Sequence, residues 1–137
     1  MGILAPTQLL ILATQTNKQV DLITFTNFTG SSFAFNSDGT YLAVGSLDGE
    51  THLYAYNGSN FLSSEKVLKD VTTKTVESVC FTSDGKYVVL ADVDKVFVWS
   101  WNEDINMTEN FNGSFAQSVS CSPTNATLFA VGGGLNT

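Results

Sequence analysis

The chain alternates short runs of Val, Ile, Phe, Tyr and Leu with breaks at Asp-Gly, Asn-Gly and Gly-Gly. Apolar side chains on every second residue mark a half-buried strand, and the breakers are residues that turn one strand into the next. No apolar spacing of helical period persists beyond about two turns, so no helix is expected. The pattern predicts an all-β chain of antiparallel strands.

The strands repeat. Ser32-Phe33-Ala34-Phe35-Asn36-Ser37-Asp38-Gly39-Thr40-Tyr41 returns 46 residues later as Ser78-Val79-Cys80-Phe81-Thr82-Ser83-Asp84-Gly85-Lys86-Tyr87. A weaker copy, Ser118-Val119-Ser120-Cys121-Ser122-Pro123-Thr124-Asn125, follows 40 residues after the second. Each copy leads into an apolar run (Tyr41–Gly45, Tyr87–Ala91, Leu128–Gly132), and after the first two a turn and an aromatic-rich strand follow (Thr51–Tyr56, Lys95–Trp101). Residues 10–25 align with 41–56 without a gap. Ser-Asp-Gly suits a tight turn, because Asp bonds back to its own backbone and Gly accepts positive φ. Small residues after the apolar run, such as Gly45 and Ala91, allow close approach of a neighbour.

Strand, S-x-D-G turn, Y-L-A-V-G-S-x-D strand, then an aromatic-ended strand resembles the WD-repeat β-propeller and its relatives. The resemblance runs over nearly the whole chain and implies four-stranded blades, labelled a to d from the axis outward. It departs from the family at the Trp-Asp position, which reads Ile23-Thr24, Tyr54-Ala55 and Trp99-Ser100, and at the Gly-His pair, which is missing. The family's Asp–His–Ser/Thr–Trp network is therefore not expected, leaving packing and backbone ladders to hold the blades. On this template the chain divides into a partial blade at 1–30, blades at 31–70 and 71–113, and a partial blade at 114–137. The N-terminal pair reads as b–c, or as c–d if no outer strand fits between Phe25 and Phe33. Outer d strands are expected near Leu62–Leu68 and Met107–Phe111. The total is about three blades, whereas propellers close with about 4–8. The blades are thus incomplete as a single chain. Three explanations stand open: a fragment of a longer repeat protein, copies completing one another's blades, or a small sandwich instead of a propeller.

The formal net charge is −7, and charged residues make up only 14%. That balance argues against nucleic-acid and anionic-membrane partners, which need Lys/Arg clusters. Aromatics at 12% argue against disorder. The apolar opening from Ile3 to Ala13 lacks the preceding basic residue of a signal peptide and is interrupted by Pro6 and Gln8, so it is read as part of the repeat.

Five Asn-x-Ser/Thr acceptors occur, at Asn27, Asn57, Asn106, Asn112 and Asn125. Composition alone gives about 2.4. The template puts Asn27, Asn57, Asn106 and Asn125 on one face, at a–b or c–d ends. There N-linked glycans would solubilise a surface poor in charge; the plainer account is that Asn favours turns. The other face carries Asp48-Gly49-Glu50 and Asp92-Val93-Asp94, read as solvated hairpin turns in preference to a Ca²⁺ site, so no metal is expected. Trp99 and Trp101 share a strand face, for packing rather than for sugar stacking. Cys80 and Cys121 fall on opposite faces of successive inner strands, and no disulfide between them is expected. One histidine, His52, with no catalytic order around it and no phosphate loop, gives no catalytic residue and no cofactor. The resulting expectation is a non-enzymatic structural or interaction module. It is extracellular, glycosylated and self-assembling into a ring or filament, its partners being its own copies, further repeats or other proteins. The alternative is a fragment of a cytoplasmic WD-repeat scaffold.

Overall fold

The computed structural model describes residues 8–25, 27–61, 66–68, 74–103, 105–110 and 114–135. These form twelve strands: β1 (Gln8–Leu12), β2 (Gln19–Thr24), β3 (Gly30–Phe35), β4 (Tyr41–Ser46), β5 (Thr51–Ala55), β6 (Lys66–Leu68), β7 (Ser78–Phe81), β8 (Tyr87–Ala91), β9 (Lys95–Ser100), β10 (Ile105–Asn110), β11 (Ser114–Cys121) and β12 (Phe129–Leu135). They make two antiparallel four-stranded sheets, β3-β4-β5-β6 and β7-β8-β9-β10, and two antiparallel pairs, β1-β2 and β11-β12. The outer strands β6 and β10 overlap the two expected d strands; residues 62–65 and 111 of those expectations lie outside the described residues.

The turn chemistry is as the repeats imply. Gly39 and Gly85 take φ of 74° and 71°, which a side chain would strain. The Asp38 carboxylate accepts the Thr40 N–H (3.0 Å), and Asp84 accepts the Lys86 N–H (3.1 Å) and the Thr82 hydroxyl (2.7 Å). In the third copy Asn125 does the same work, its Oδ1 accepting the Thr127 N–H and hydroxyl at 3.0 and 2.7 Å.

The sheets stack face to face in chain order. Ala43, Leu53 and Leu68 of the first four-stranded sheet pack against Val79, Phe81, Leu90, Phe97 and Trp99 of the second. Each sheet thus has a forward face, toward the next sheet, and a backward face. Along the two inner strands the forward face is small (Ala34, Ala43, Gly45) and the incoming backward face is large. The fit is closest at Gly45: a Cβ there would lie 2.5 Å from Val76 Cγ1 and 2.7 Å from Ser32 Oγ. Val76 is fully buried, and its backbone is clasped, its N–H donating to Ser46 O (2.9 Å) while the Ser31 and Ser32 hydroxyls donate to its carbonyl (2.7 and 3.2 Å). At the next junction the Val119 N–H donates to Ser78 Oγ (3.1 Å). Serine-to-backbone bonds between sheets therefore add to the packing and ladders expected in place of the family's network.

The two pairs cover different halves of their neighbours. Ile23 and Phe25, with Leu9 and Ile11, pack on Leu42, Val44 and Tyr54 of β4 and β5, and the Phe61 N–H donates to the Asp21 carboxylate (2.7 Å). The inner strand β3 stays bare on that side. Just before β3, the Leu47 N–H of the β4–β5 turn donates to Thr29 O (3.0 Å). β2 therefore ends at the rim where β3 begins, as a d strand does before an a strand. The N-terminal pair is an outer, c–d-like half and not b–c. The C-terminal pair is an inner, a–b half, since Ala116 and Val119 with Cys121 and Val131 pack on Val89, Ala91 and Cys80.

Replacing Gly45 with Ala is expected to lower stability by about 1–3 kcal/mol through overpacking. Gly132 holds the corresponding place in β12 with nothing within 4 Å, and in the single chain, at concentrations too low for association, its Ala variant is expected to stay within about 0.5 kcal/mol of the parent. Urea titration of both variants measures the contrast.

Candidate interaction surface

Three regions are candidates: the two rims formed by the turns, and the exposed ends of the stack. One rim carries the β3–β4, β7–β8 and β11–β12 turns with the β5–β6 connection; the other carries the β4–β5 and β8–β9 turns. Asn57 and Asn125 lie exposed on the first rim. Asn57 Oδ1 accepts the Ser59 and Asn60 N–H groups (2.9 Å each). Bonds of this kind use Oδ1, whereas a glycan attaches at Nδ2. Asn106 is exposed near the start of β10, at the same end. Asn112 lies outside the described residues. Asn27, with φ of 67°, sits at the opposite rim, beside Leu47 and Asp48 in a depression of about 360 Å³. Its expected place on the shared face is corrected by the outer-half position of β1-β2.

The acids on the second rim are engaged within their turns. Asp92, buried, accepts the Asp94 and Lys95 N–H groups at 2.7 and 2.8 Å. Asp94 pairs with Lys74, Asp48 accepts the Ser46 hydroxyl, and Glu50 lies 3.2 Å from His52 Nε2. Among the described residues no three His, Cys, Asp or Glu side chains gather as a metal site would require. His52 is buried and stacks flat on Phe28, ring centroids 3.7 Å apart. Trp99 is buried in the junction between the four-stranded sheets, and Trp101 packs against it. The Trp101 indole N–H donates to Gly85 O (2.8 Å), and its ring lies 4.9 Å from that of Tyr41. Both tryptophans thus take part in packing.

The cysteines overturn the expectation. Cys80 and Cys121 form a disulfide, their Cα atoms 5.8 Å apart. The register behind the expectation stands: Cys121 opposes Phe129 as Phe81 opposes Val88, so Cys121 takes the place of Phe81, one residue out of phase with Cys80. The two side chains do point to opposite faces of their own sheets. In a serial stack, however, the forward face of one sheet meets the backward face of the next, so opposite faces bring the sulfurs together.

The ends of the stack carry what the sequence reading missed. On the backward face of β3, Phe33 and Phe35 are 57% and 52% exposed, whereas their counterparts Val79 and Phe81 are each 6% exposed. The N-terminal pair bares Leu10, Leu12 and Leu22 on its own backward face. On the forward face of β10, Ile105 and Met107 are exposed. Between β1 and β3 runs a groove of about 180 Å³, lined by Leu9, Ile11, Phe33, Phe35 and Leu42 among others. A signal was present: Leu9-Leu10-Ile11-Leu12 is continuous rather than alternating, as in strands covered on both faces.

With this geometry in view, comparison with known proteins identifies the fold. The structure is similar to the β-propeller domain of Cps50 (Swd1) from Myceliophteria thermophila, with a TM-score of 0.66 at 20% identity, over 78% of this chain and 32% of that one. The chain thus spans about a third of that domain's length. No protein-family model matches the chain. The likeness shows the fold: an all-β propeller segment of antiparallel four-stranded blades flanked by two half-blades.

The disulfide closes a separation of 41 residues, which by loop-closure entropy stabilises by about 4 kcal/mol. Cys121→Ser, or reduction, is expected to lower the denaturation midpoint accordingly, in a titration run with and without reductant. The turn carboxylates add an acid limb. Asp84 sits below its ordinary value because it accepts the Thr82 hydroxyl and then the Lys86 N–H; Asp38 is lowered by the Thr40 hydroxyl and N–H. A lowered folded value means the contribution is complete above the unfolded carboxylate value of about 4 and is lost as pH falls through the folded value. Asp84→Asn is expected to flatten this limb in thermal melts across that range, leaving neutral pH behaviour of the remaining groups unchanged.

Proposed function

We propose that the protein is a non-enzymatic interaction module, extracellular and N-glycosylated, that presents loops from a rigid blade array and assembles by completing its blades. The observation that carries this reading is the row of bare apolar side chains at both ends of the stack, Phe33 and Phe35 at one and Ile105 and Met107 at the other. Unpaired edges beside such residues invite another chain, and proteins that keep an open edge usually cover it. The likeness to a propeller domain supports a scaffold whose function lies in surfaces rather than in reacting groups.

Two features support the extracellular setting. A disulfide between blades is stable in an oxidising compartment and rare in a reducing one. Exposed Asn57 and Asn125 sit in turns whose backbone is already satisfied, so a glycan there disturbs no ladder. With charged residues at only 14%, sugar would supply the missing polarity.

The test is production through a secretory route followed by intact mass. The expected outcome is a mass above 14.7 kDa by hexose-containing increments that N-glycosidase removes, with conversion of Asn57 or Asn125 to Asp on removal. A bare mass overturns the glycosylated reading. A deglycosylated chain that elutes as a monomer at every concentration overturns the assembling one.

A further inference from the structure

We infer that two copies of this chain close head to tail into one six-bladed ring, the C-terminal half-blade of each copy joining the N-terminal half-blade of the other in the strand order β11-β12-β1-β2. This rests on the self-assembling reading above and names its partner, its register and its stoichiometry.

The halves are complementary in kind. Among the described residues, the N-terminal pair is an outer half whose inner strand, β1, pairs only with β2, and the C-terminal pair is an inner half whose outer strand, β12, pairs only with β11. Joined edge to edge they make the strand order of β3-β4-β5-β6. The connecting direction is also met: β12 leaves the rim that bears the β11–β12 turn, and β1 runs toward that rim, so the new pairing is antiparallel like every other in the fold.

The faces match as well. In the junction between the two four-stranded sheets, small forward residues Ala34, Ala43 and Gly45 receive large backward residues that include Val79 and Phe81. The register places Ser120, Ala130 and Gly132 of the C-terminal pair at the positions of Ala34, Ala43 and Gly45. It places Phe33 and Phe35 at those of Val79 and Phe81. The bare small face at one end of the chain is therefore the counterpart of the bare large face at the other. The outer halves follow suit. Leu10, Leu12 and Leu22 of one copy would cover Ile105 and Met107 of the other, since Met107 opposes Val98 and shares its forward face. The new contact is the existing sheet-to-sheet contact made once more, between copies.

The stoichiometry comes from closure. The described strands of each copy form a half-blade, two blades and a half-blade, three blades in all. Each new junction repeats the internal one, so the blades keep turning about one axis until the ring closes. Rings close with about 4–8 blades, and six is the one multiple of three in that range. Two copies give it, through two identical heterologous contacts.

Sedimentation or light scattering on the oxidised, deglycosylated chain is expected to give twice 14.7 kDa. Because each copy carries net −7, dimerisation should tighten as salt rises. Two variants block opposite ends: the Phe33→Asp, Phe35→Asp double variant and Ala130→Trp. All three positions are exposed, and far-UV circular dichroism checks that each variant keeps its sheets. Each alone is expected to be monomeric. Mixed one to one, they are expected to regain a dimer, because one of the two contacts then joins an intact end to an intact end. A monomeric parent overturns both this inference and the assembling reading. A dimeric parent whose mass survives both variants, or whose variants fail to rescue each other, leaves self-association standing and overturns head-to-tail completion, as does an open series of higher masses.

Discussion

The central junction, between the two four-stranded sheets, depends on a small face meeting a large one. Gly45 and Ala43 leave room along the inner strands, and Val76 and Phe81 fill it; the separation at Gly45 is such that a single methyl would collide with Val76. Interiors packed to this density do not absorb an added methylene freely. The identity of each face is thus fixed by size as well as by polarity. That gives this junction a direction: the small forward face of β3-β4 is filled by the large backward face of β7-β8. Ser31, Ser32 and Ser78 add hydrogen bonds to backbone across the junctions and hold neighbouring sheets in step.

Much of this was legible in the sequence because repeats report on themselves. The Ser-Asp-Gly turns, the apolar runs and the small residue after each run all fell where the copies put them, and Gly39 and Gly85 adopt the conformation that the turn requires. The outer strands were blurred because they touch one neighbour only and carry little alternation; β6 has just three residues. Two readings failed for one shared reason. The cysteines and Asn27 were judged within a single sheet, whereas their positions are decided by how sheets follow one another. Opposite faces of consecutive sheets are neighbours, so the register that seemed to separate Cys80 from Cys121 is what joins them. Asn27 changed rims once β2 proved to be the strand that precedes an inner strand.

The disulfide has a consequence for the C-terminal half-blade. An isolated two-stranded pair is marginal in water, and among the described residues no third strand pairs with β11-β12 as β9 and β10 extend β7 and β8. It is held by the cluster around Val89, Ala91 and Val119, by the Ser78 clasp, and by the covalent link from Cys80. The link sits on the inner strands, where the half-blade exists, and leaves the β12 edge untouched. Its effect is to hold an otherwise weak pair at the pitch of the blades before it, with its small face outward. Pre-organisation of that kind lowers the ordering cost of any contact the face makes.

The division of a blade between the two ends also decides what sort of contact the ends can make. A chain ending in two outer halves, or in two inner halves, would offer like surfaces, and its copies would meet about a two-fold axis. Here one end is outer and large-faced, and the other is inner and small-faced. Two copies of the Phe33–Phe35 end present large face to large face, with no recess to receive either ring, and two β12 ends present Ser120 and Ala130 to their own kind with a gap between them. The asymmetry of the junction between the two four-stranded sheets is thus repeated at the two ends of the stack, and the same fit of small face to large face disfavours like-with-like pairing there.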